Sequence, residues 1–277
     1  MGMRINTNAS SLAAQRSLVR NRNSLNSNLR KLSTGQRITR ASDDAAGLAI
    51  SENFKSYLRA TRQAQRNAGD SISMIQTAEG GLEEISNIII RLRELSVQTS
   101  SDTIGDKERA FSNIEFTQLV DEVDRIAKSS SFNGINLLDG SSGVLEFQIG
   151  QRNDPNLDRL NFDFSQAGAT PLSLGMAALD ISTKQGSQNS LANLDDALTK
   201  VNGIRAKMGA TQNRLQSIMN NLSITDENIS AANSRIRDLD IAKESADMAK
   251  NNILVQSGVS VLSQANNSPA MALKLIN

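Results

Sequence analysis

ISMIQTAEGGLEEISNIIIRLREL, residues 72–95, decides the fold. Within it Ile75, Ala78, Leu82, Ile85, Ile89 and Leu92 recur at alternating spacings of three and four. That spacing lines one narrow face of an α-helix, the seam along which helices pack side by side. Ile72, Ile88 and Leu95 widen the seam. Gly80-Gly81 interrupts it. Two glycines inside a helix cost about 2 kcal/mol relative to alanine, so a kink or a close backbone approach is expected there.

Working outward, no proline stands before Pro155, and the helical pattern extends over residues 44–100. The polar stretch SSDTIGD, 100–106, reads as a loop with Asp106 as candidate N-cap. A further helix is expected over about 107–129, on Phe111, Ile114, Phe116, Leu119, Val120, Val123 and Ile126, with Ser129 to Ser131 ending it. Between about 132 and 180 the period changes to two. Leu145, Phe147 and Ile149 alternate with polar residues, as do Leu160, Phe162 and Phe164, and Asn153-Asp154-Pro155-Asn156 lies between them. Two short antiparallel strands around a turn follow from this.

Helical spacing returns over 188–236 and continues over 239–265 on Ala242, Ala246, Ala249, Ile253 and Leu262. Asn266-Asn267-Ser268-Pro269 is expected to end it. At the other end, residues 9–33 carry Leu18, Leu25 and Leu32 at strict seven-residue spacing, with Leu12, Val19 and Leu29 beside them. The rest of that stretch is Asn, Ser, Gln and Arg, which makes a marginal helix that needs a partner. The two ends match in length and pattern and are expected to pair. The fold class is therefore mainly α: a long antiparallel helical bundle or coiled-coil rod, a small β-hairpin region, and paired N- and C-terminal segments.

Composition narrows the function. The 277 residues include neither Cys nor His, seven Phe, one Tyr and no Trp. Thiol chemistry, imidazole general bases and thiolate or imidazole metal sites are excluded. No cofactor is expected, and an enzyme is disfavoured. The net charge of +1 hides an asymmetry: Arg4, Arg16, Arg20, Arg22, Arg30, Lys31, Arg37 and Arg40 precede the first acid, Asp43. Nucleic acid is disfavoured as a partner, because no stacking aromatics or recognition motif accompany these charges. No apolar run is long enough for a bilayer, so membrane insertion is not expected. MGMRINTNAS lacks the apolar stretch of a cleaved signal peptide. In RASDDAAG, 40–47, Asp43 or Asp44 is expected to cap the helix that follows.

Residues 31–54, KLSTGQRITRASDDAAGLAISENF, closely resemble the N-terminal signature of bacterial flagellins. Residues 228–277, NISAANSRIRDLDIAKESADMAKNNILVQSGVSVLSQANNSPAMALKLIN, resemble the flagellin C-terminal region. IIIRLRELSVQTS (88–100), LVDEVDRIAKSSSFNGINLLDG (119–140) and the long helical stretch 190–236 fit as well, in the same order. Only about 40 residues, 141–180, separate the halves, so the resemblance is to a minimal flagellin without variable outer domains.

The resemblance implies a structural subunit that polymerises with itself into a helical filament for motility. Residues 1–43 and 237–277 would form an inner terminal coiled-coil domain, disordered in the monomer and folding on assembly. Residues 44–236 would form an outer core domain. Leu18, Leu25, Leu32, Ile253, Leu262 and Leu273 would make the inner assembly interface, with Arg37, Arg40, Asp43 and Asp44 at the domain connection and between subunits. Arg91, Leu95 and Glu115 match the positions that Toll-like receptor 5 recognises. Also implied are a flagellar export apparatus, an export chaperone and a filament cap as partners. The expected location is extracellular, in the flagellar filament, reached by the flagellar type III route without a cleaved signal peptide. The alternative within reach of the same termini is a hook–filament junction protein.

Overall fold

The computed structural model describes residues 7–274, with side chains through residue 268. Six helices, α1 (Ala9–Thr34), α2 (Ala45–Thr99), α3 (Asp106–Ser129), α4 (Pro171–Leu174), α5 (Lys184–Arg237) and α6 (Ile241–Lys274), enclose four short strands in chain order. The strands are β1 (Ser131–Phe132), β2 (Ile135–Asn136), β3 (Val144–Gln148) and β4 (Arg159–Asp163). The chain forms two compact units: Met1–Leu58 with Asn228–Asn277, and Arg59–Glu227.

In the second unit the expected seam of α2 is the core. Ile75, Ala78, Leu82, Ile85, Ile89 and Leu92 are fully buried, against Phe116, Val123 and Ala127 of α3 and Leu194, Val201, Met208 and Leu215 of α5. Three helices thus bury the apolar stripes that their periodicity announces. β3 and β4 pair antiparallel, with Leu145 opposite Phe162 and Phe147 opposite Leu160. These residues share one face of the pleat, and that face closes the core. The Phe162 and Phe164 rings meet edge to face at 4.6 Å.

Several local expectations need correction. Helix α2 runs unbroken through Gly80-Gly81. Gly81 is the close approach: a Cβ there would lie 2.6 Å from Ser130 Oγ and 2.8 Å from Leu138 Cδ1, whereas nothing lies near Gly80. Leu138 is fully buried and has little room to yield. Gly80→Ala is expected to stabilise the protein by about 1 kcal/mol, by removing helix-interior backbone entropy. Gly81→Ala is expected to destabilise it by about 1–3 kcal/mol, by overpacking. Urea denaturation of the two variants checks the opposite signs.

The N-cap of α3 is Gly105, not Asp106, whose carboxylate instead accepts from Arg109 Nη1 at 2.7 Å. Helix α6 runs on to Lys274, past the Asn266–Pro269 stretch expected to end it; a proline removes one backbone donor, and here the helix continues. The β1–β2 hairpin was not anticipated. Its two-residue turn, Asn133-Gly134, has both φ angles positive (50° and 81°), the backbone that Asn-Gly favours.

Candidate assembly interface

Helices α1 and α6 pack antiparallel within the first unit. At one end Asn8 Nδ2 donates to Ala265 O at 2.7 Å and Ser11 Oγ donates to Asn266 Oδ1 at 2.7 Å. At the other, Lys31 Nζ lies 3.8 Å from Glu244 Oε1. Leu18, Leu25 and Leu32 sit half-buried in the seam, as do Met248, Val255 and Leu262 from α6. The only buried residues described for α1 are polar, Ser11 and Asn28. The pair therefore has no apolar core of its own.

Each helix carries a second set of apolar residues outside the seam. Leu12, Val19 and Leu29 on α1 are exposed, as are Leu254, Val259 and Val261 on α6. Ile253 is 63% exposed, so of the residues expected at the inner interface it alone stands clear of the α1–α6 seam among those described. The side chain of Leu273 lies outside the described residues.

Between these helices and the rest of the unit the chain is tied by a minimal β-bridge. Gly35 ends α1 in the left-handed region (φ 67°), which glycine enters without strain. Its carbonyl accepts from Leu239 N at 3.0 Å, and Arg37 N donates to Arg237 O at 2.7 Å. The Arg37 guanidinium donates to Ile236 O at 2.7 and 3.2 Å, where the carbonyl end of a helix favours a cation. Arg237 donates to Gln36 Oε1 at 3.0 Å and Ser51 Oγ at 3.2 Å, and pairs with Glu52. With Lys55 it holds the Glu52 carboxyl below its ordinary range.

The two acids in this connection divide their work. Asp44 caps α2, its Oδ1 accepting from Gly47 N at 2.8 Å. Gly47 has no room for a side chain, because a Cβ would press on Asp44 and lie 2.8 Å from Ile38 Cδ1. Asp43 closes the preceding loop: its Oδ2 accepts from Thr39 Oγ1 at 2.8 Å and from the Thr39 and Arg40 amides at 3.1 Å. Arg40 contributes its backbone to this loop, and its side chain is exposed.

The Thr39 hydroxyl and amide lower the Asp43 pKa. A carboxyl depressed on folding stabilises the fold above its unfolded pKa, near 4, and loses that contribution as pH falls through the folded value. Amide exchange at Thr39 and Arg40 is therefore expected to quicken below about pH 4 in the parent, beyond the intrinsic trend. In Asp43→Asn, whose neutral amide does not titrate, exchange at neutral pH should exceed the parent's and the acid-linked change should vanish. Hydrogen exchange by mass spectrometry on the assembled chain, in which these residues are ordered, reads both.

In the second unit Arg91 and Glu115 come together. Arg91 Nε and Nη2 donate to Glu115 Oε1 at 3.0 and 2.9 Å, and Nη1 reaches Glu94 at 3.1 Å. These carboxylates, Glu115 first, raise the pKa of the exposed guanidinium. Leu95 does not join them on the surface. It is 2% exposed because it prolongs the buried α2 seam by one step from Leu92. Phe111 and Ile114 are the exposed apolar residues of α3.

Arg109 went unread in the sequence because nothing in the helical period marks it. It is buried and donates to Thr99 O and Ser101 O, both at 2.9 Å, and so ties the last residue of α2 to the loop that follows. Among the described residues no cluster of His, Cys, Asp or Glu has the spacing to hold a metal ion. None of the described helices is long and apolar enough to cross a membrane.

A family model described as the bacterial flagellin N-terminal helical region matches residues 5–143, and one described as the bacterial flagellin C-terminal helical region matches residues 191–276. The flagellar filament 30.7 kDa core protein of Treponema maltophilum is 42% identical over 290 aligned positions, covering 99% of this chain and 100% of that one. A flagellin of Halalkalibacterium halodurans is 40% identical over 274 positions, covering 99% and 100%. The crystal structure of Bacillus cereus flagellin superposes with a TM-score of 0.51 and 31% identity, covering 61% of this chain and 94% of that one. The stretch between the two matched regions holds the β3–β4 hairpin, α4 and the start of α5, with no further domain. From its first matched region to its last, and along the full length of its relatives, this chain belongs to the bacterial flagellins.

Proposed function

We infer that this chain is a structural subunit that polymerises with copies of itself into the bacterial flagellar filament, and so serves motility. The observation that carries the reading is the terminal helix pair whose outer apolar residues, Leu12, Val19 and Leu29 on α1 and Ile253, Val259 and Val261 on α6, lie uncovered. A pair without an apolar core cannot by itself offset about 1–2 kcal/mol of backbone entropy per ordered residue. Neighbouring copies supply the missing surface, and contacts that repeat without closing build a helical filament. The hook–filament junction alternative is not favoured, since the full-length relatives are filament proteins.

Residues 1–43 and 237–277 act as the inner domain, are disordered in the free subunit, and order as they join the filament; residues 44–236 form the outer core domain. Leu18, Leu25, Leu32 and Leu262 order first against each other within one chain, and Ile253 meets a neighbour. Arg37, Arg40, Asp43 and Asp44 hold the connection between the domains. Delivery runs through the flagellar export apparatus with an export chaperone and a filament cap, by the type III route, to an extracellular filament. In hosts, Arg91 and Glu115 present a paired charged surface to Toll-like receptor 5. Arginine is a frequent anchor at such interfaces.

The test is seeded growth. Purified chain added to sheared filaments is expected to lengthen them, as followed by electron microscopy and light scattering. Chain that never elongates seeds would overturn the assignment.

A further inference from the structure

We propose that the buried amide of Asn28, with Asn251 and Glu244, sets the register in which the two ends of this chain zip together. The proposal takes its setting from the filament-subunit reading. Its evidence is the α1–α6 seam itself.

The apolar residues of that seam do not distinguish one register from the next. Leu18, Leu25 and Leu32 repeat every seven residues on α1, and Met248, Val255 and Leu262 repeat every seven on α6. All six are half-buried. A slide of one heptad lays apolar residue on apolar residue again. Seams of this kind owe their register to polar residues placed within them.

Asn28 is such a residue. It is 7% exposed in the middle of the seam. In the amide orientation that satisfies its surroundings, Nδ2 donates to Ser24 O at 2.8 Å and Glu244 Oε1 at 3.3 Å, while Oδ1 accepts from Met248 N at 3.1 Å and Asn251 Nδ2 at 3.2 Å. Asn251 and Glu244 stand seven residues apart, so a one-heptad slide either way leaves Asn28 with at most one of them. Either slide therefore removes at least one of its side-chain hydrogen bonds across the seam, while the bond to Ser24 O within α1 is kept. Losing one such hydrogen bond disfavours a slid register by about tenfold.

The chain has no cysteine, so introduced pairs report register cleanly. A Cβ built on Gly258 lies 3.9 Å from Leu18 Cβ, within the range of about 3.5–4.5 Å that a disulfide needs. Leu18→Cys/Gly258→Cys therefore reads the native register. Leu18→Cys/Ala265→Cys and Ser11→Cys/Gly258→Cys read the two slides. Each pair is oxidised in filaments grown from parent seeds. Where a variant does not polymerise, the soluble chain is oxidised in trimethylamine oxide, which favours burial. Intramolecular crosslinks are scored by their faster migration in denaturing gels.

In the parent background the native pair is expected to lead the slid pairs by about tenfold or more. With Asn28→Leu and Asn251→Leu added, the slid pairs are expected to rise to a comparable yield, while circular dichroism shows helicity equal to or above the parent. A native pair that keeps its lead in the leucine background overturns the proposal, as does a parent background without a lead. Failure of the filament reading shows itself separately, as parent chain that does not elongate seeds.

Discussion

Deletion of residues 1–43 is expected to slow elongation of sheared filament seeds to about one-hundredth of the parent rate or less. The deletion removes α1 whole, and with it the seam partner of Met248, Val255 and Leu262. Helix α6 is left with apolar residues on two sides and nothing to cover either. Isolated helices are marginal in water even when their propensity is good, and this one contains Gly258 and several Asn and Ser residues. Both the intramolecular pair and the surface offered to neighbours are lost together. The effect should therefore exceed that of any single substitution at Leu12, Val19 or Ile253. Light scattering gives the rate and electron microscopy the filament lengths. The unit formed by Arg59–Glu227 contributes its own core, and its thermal transition by circular dichroism should shift little in the truncated chain. Full-rate growth by the truncated chain would refute the claim that assembly depends on ordering these ends.

Phe116→Ala is expected to destabilise the second unit by about 3–5 kcal/mol. Phe116 is fully buried, among the largest side chains in the core, in a chain with only seven phenylalanines. Its removal takes apolar area from the core and leaves a cavity between α3 and the fully buried positions of α2, which close packing cannot readily collapse. Phe111→Ala is the internal control. Phe111 lies on the same helix but is 71% exposed, so its truncation should change stability by no more than about 0.5 kcal/mol. Urea denaturation followed by circular dichroism compares them. Equal midpoints would mean that the α3 ring does not anchor this core.

The contrast between these two phenylalanines shows how far the chain could be read. Both belong to the apolar pattern of residues 107–129, and period alone does not say which lies under neighbouring helices. The α2 seam was legible because six positions keep one phase over eighteen residues, and the structure buries all six. The β3–β4 hairpin was legible because its period of two contrasts with the helices on either side. Capping was read less well. Asp106 and Asp44 have the same chemistry, but Arg109 claims the first and a glycine amide binds the second. Leu95 was placed on a recognition surface by resemblance, although its spacing from Leu92 already put it in the core.

Taken alone, the amino-acid sequence determined that this protein is mainly helical, that its ends match in pattern, that a short β region separates its helical halves, and that imidazole and thiol chemistry are absent. These follow from hydrophobic period and composition, which local geometry converts directly into element type. Only the tertiary structure decided which side of each terminal helix meets the other: Leu18, Leu25 and Leu32 turn inward, while Leu12, Val19, Leu29 and Ile253 stay bare. It also placed Asn28 against Asn251 and Glu244. Helical periodicity spaces residues along a face, but which face is covered, and in what register, depends on a partner helix more than 200 residues away along the chain.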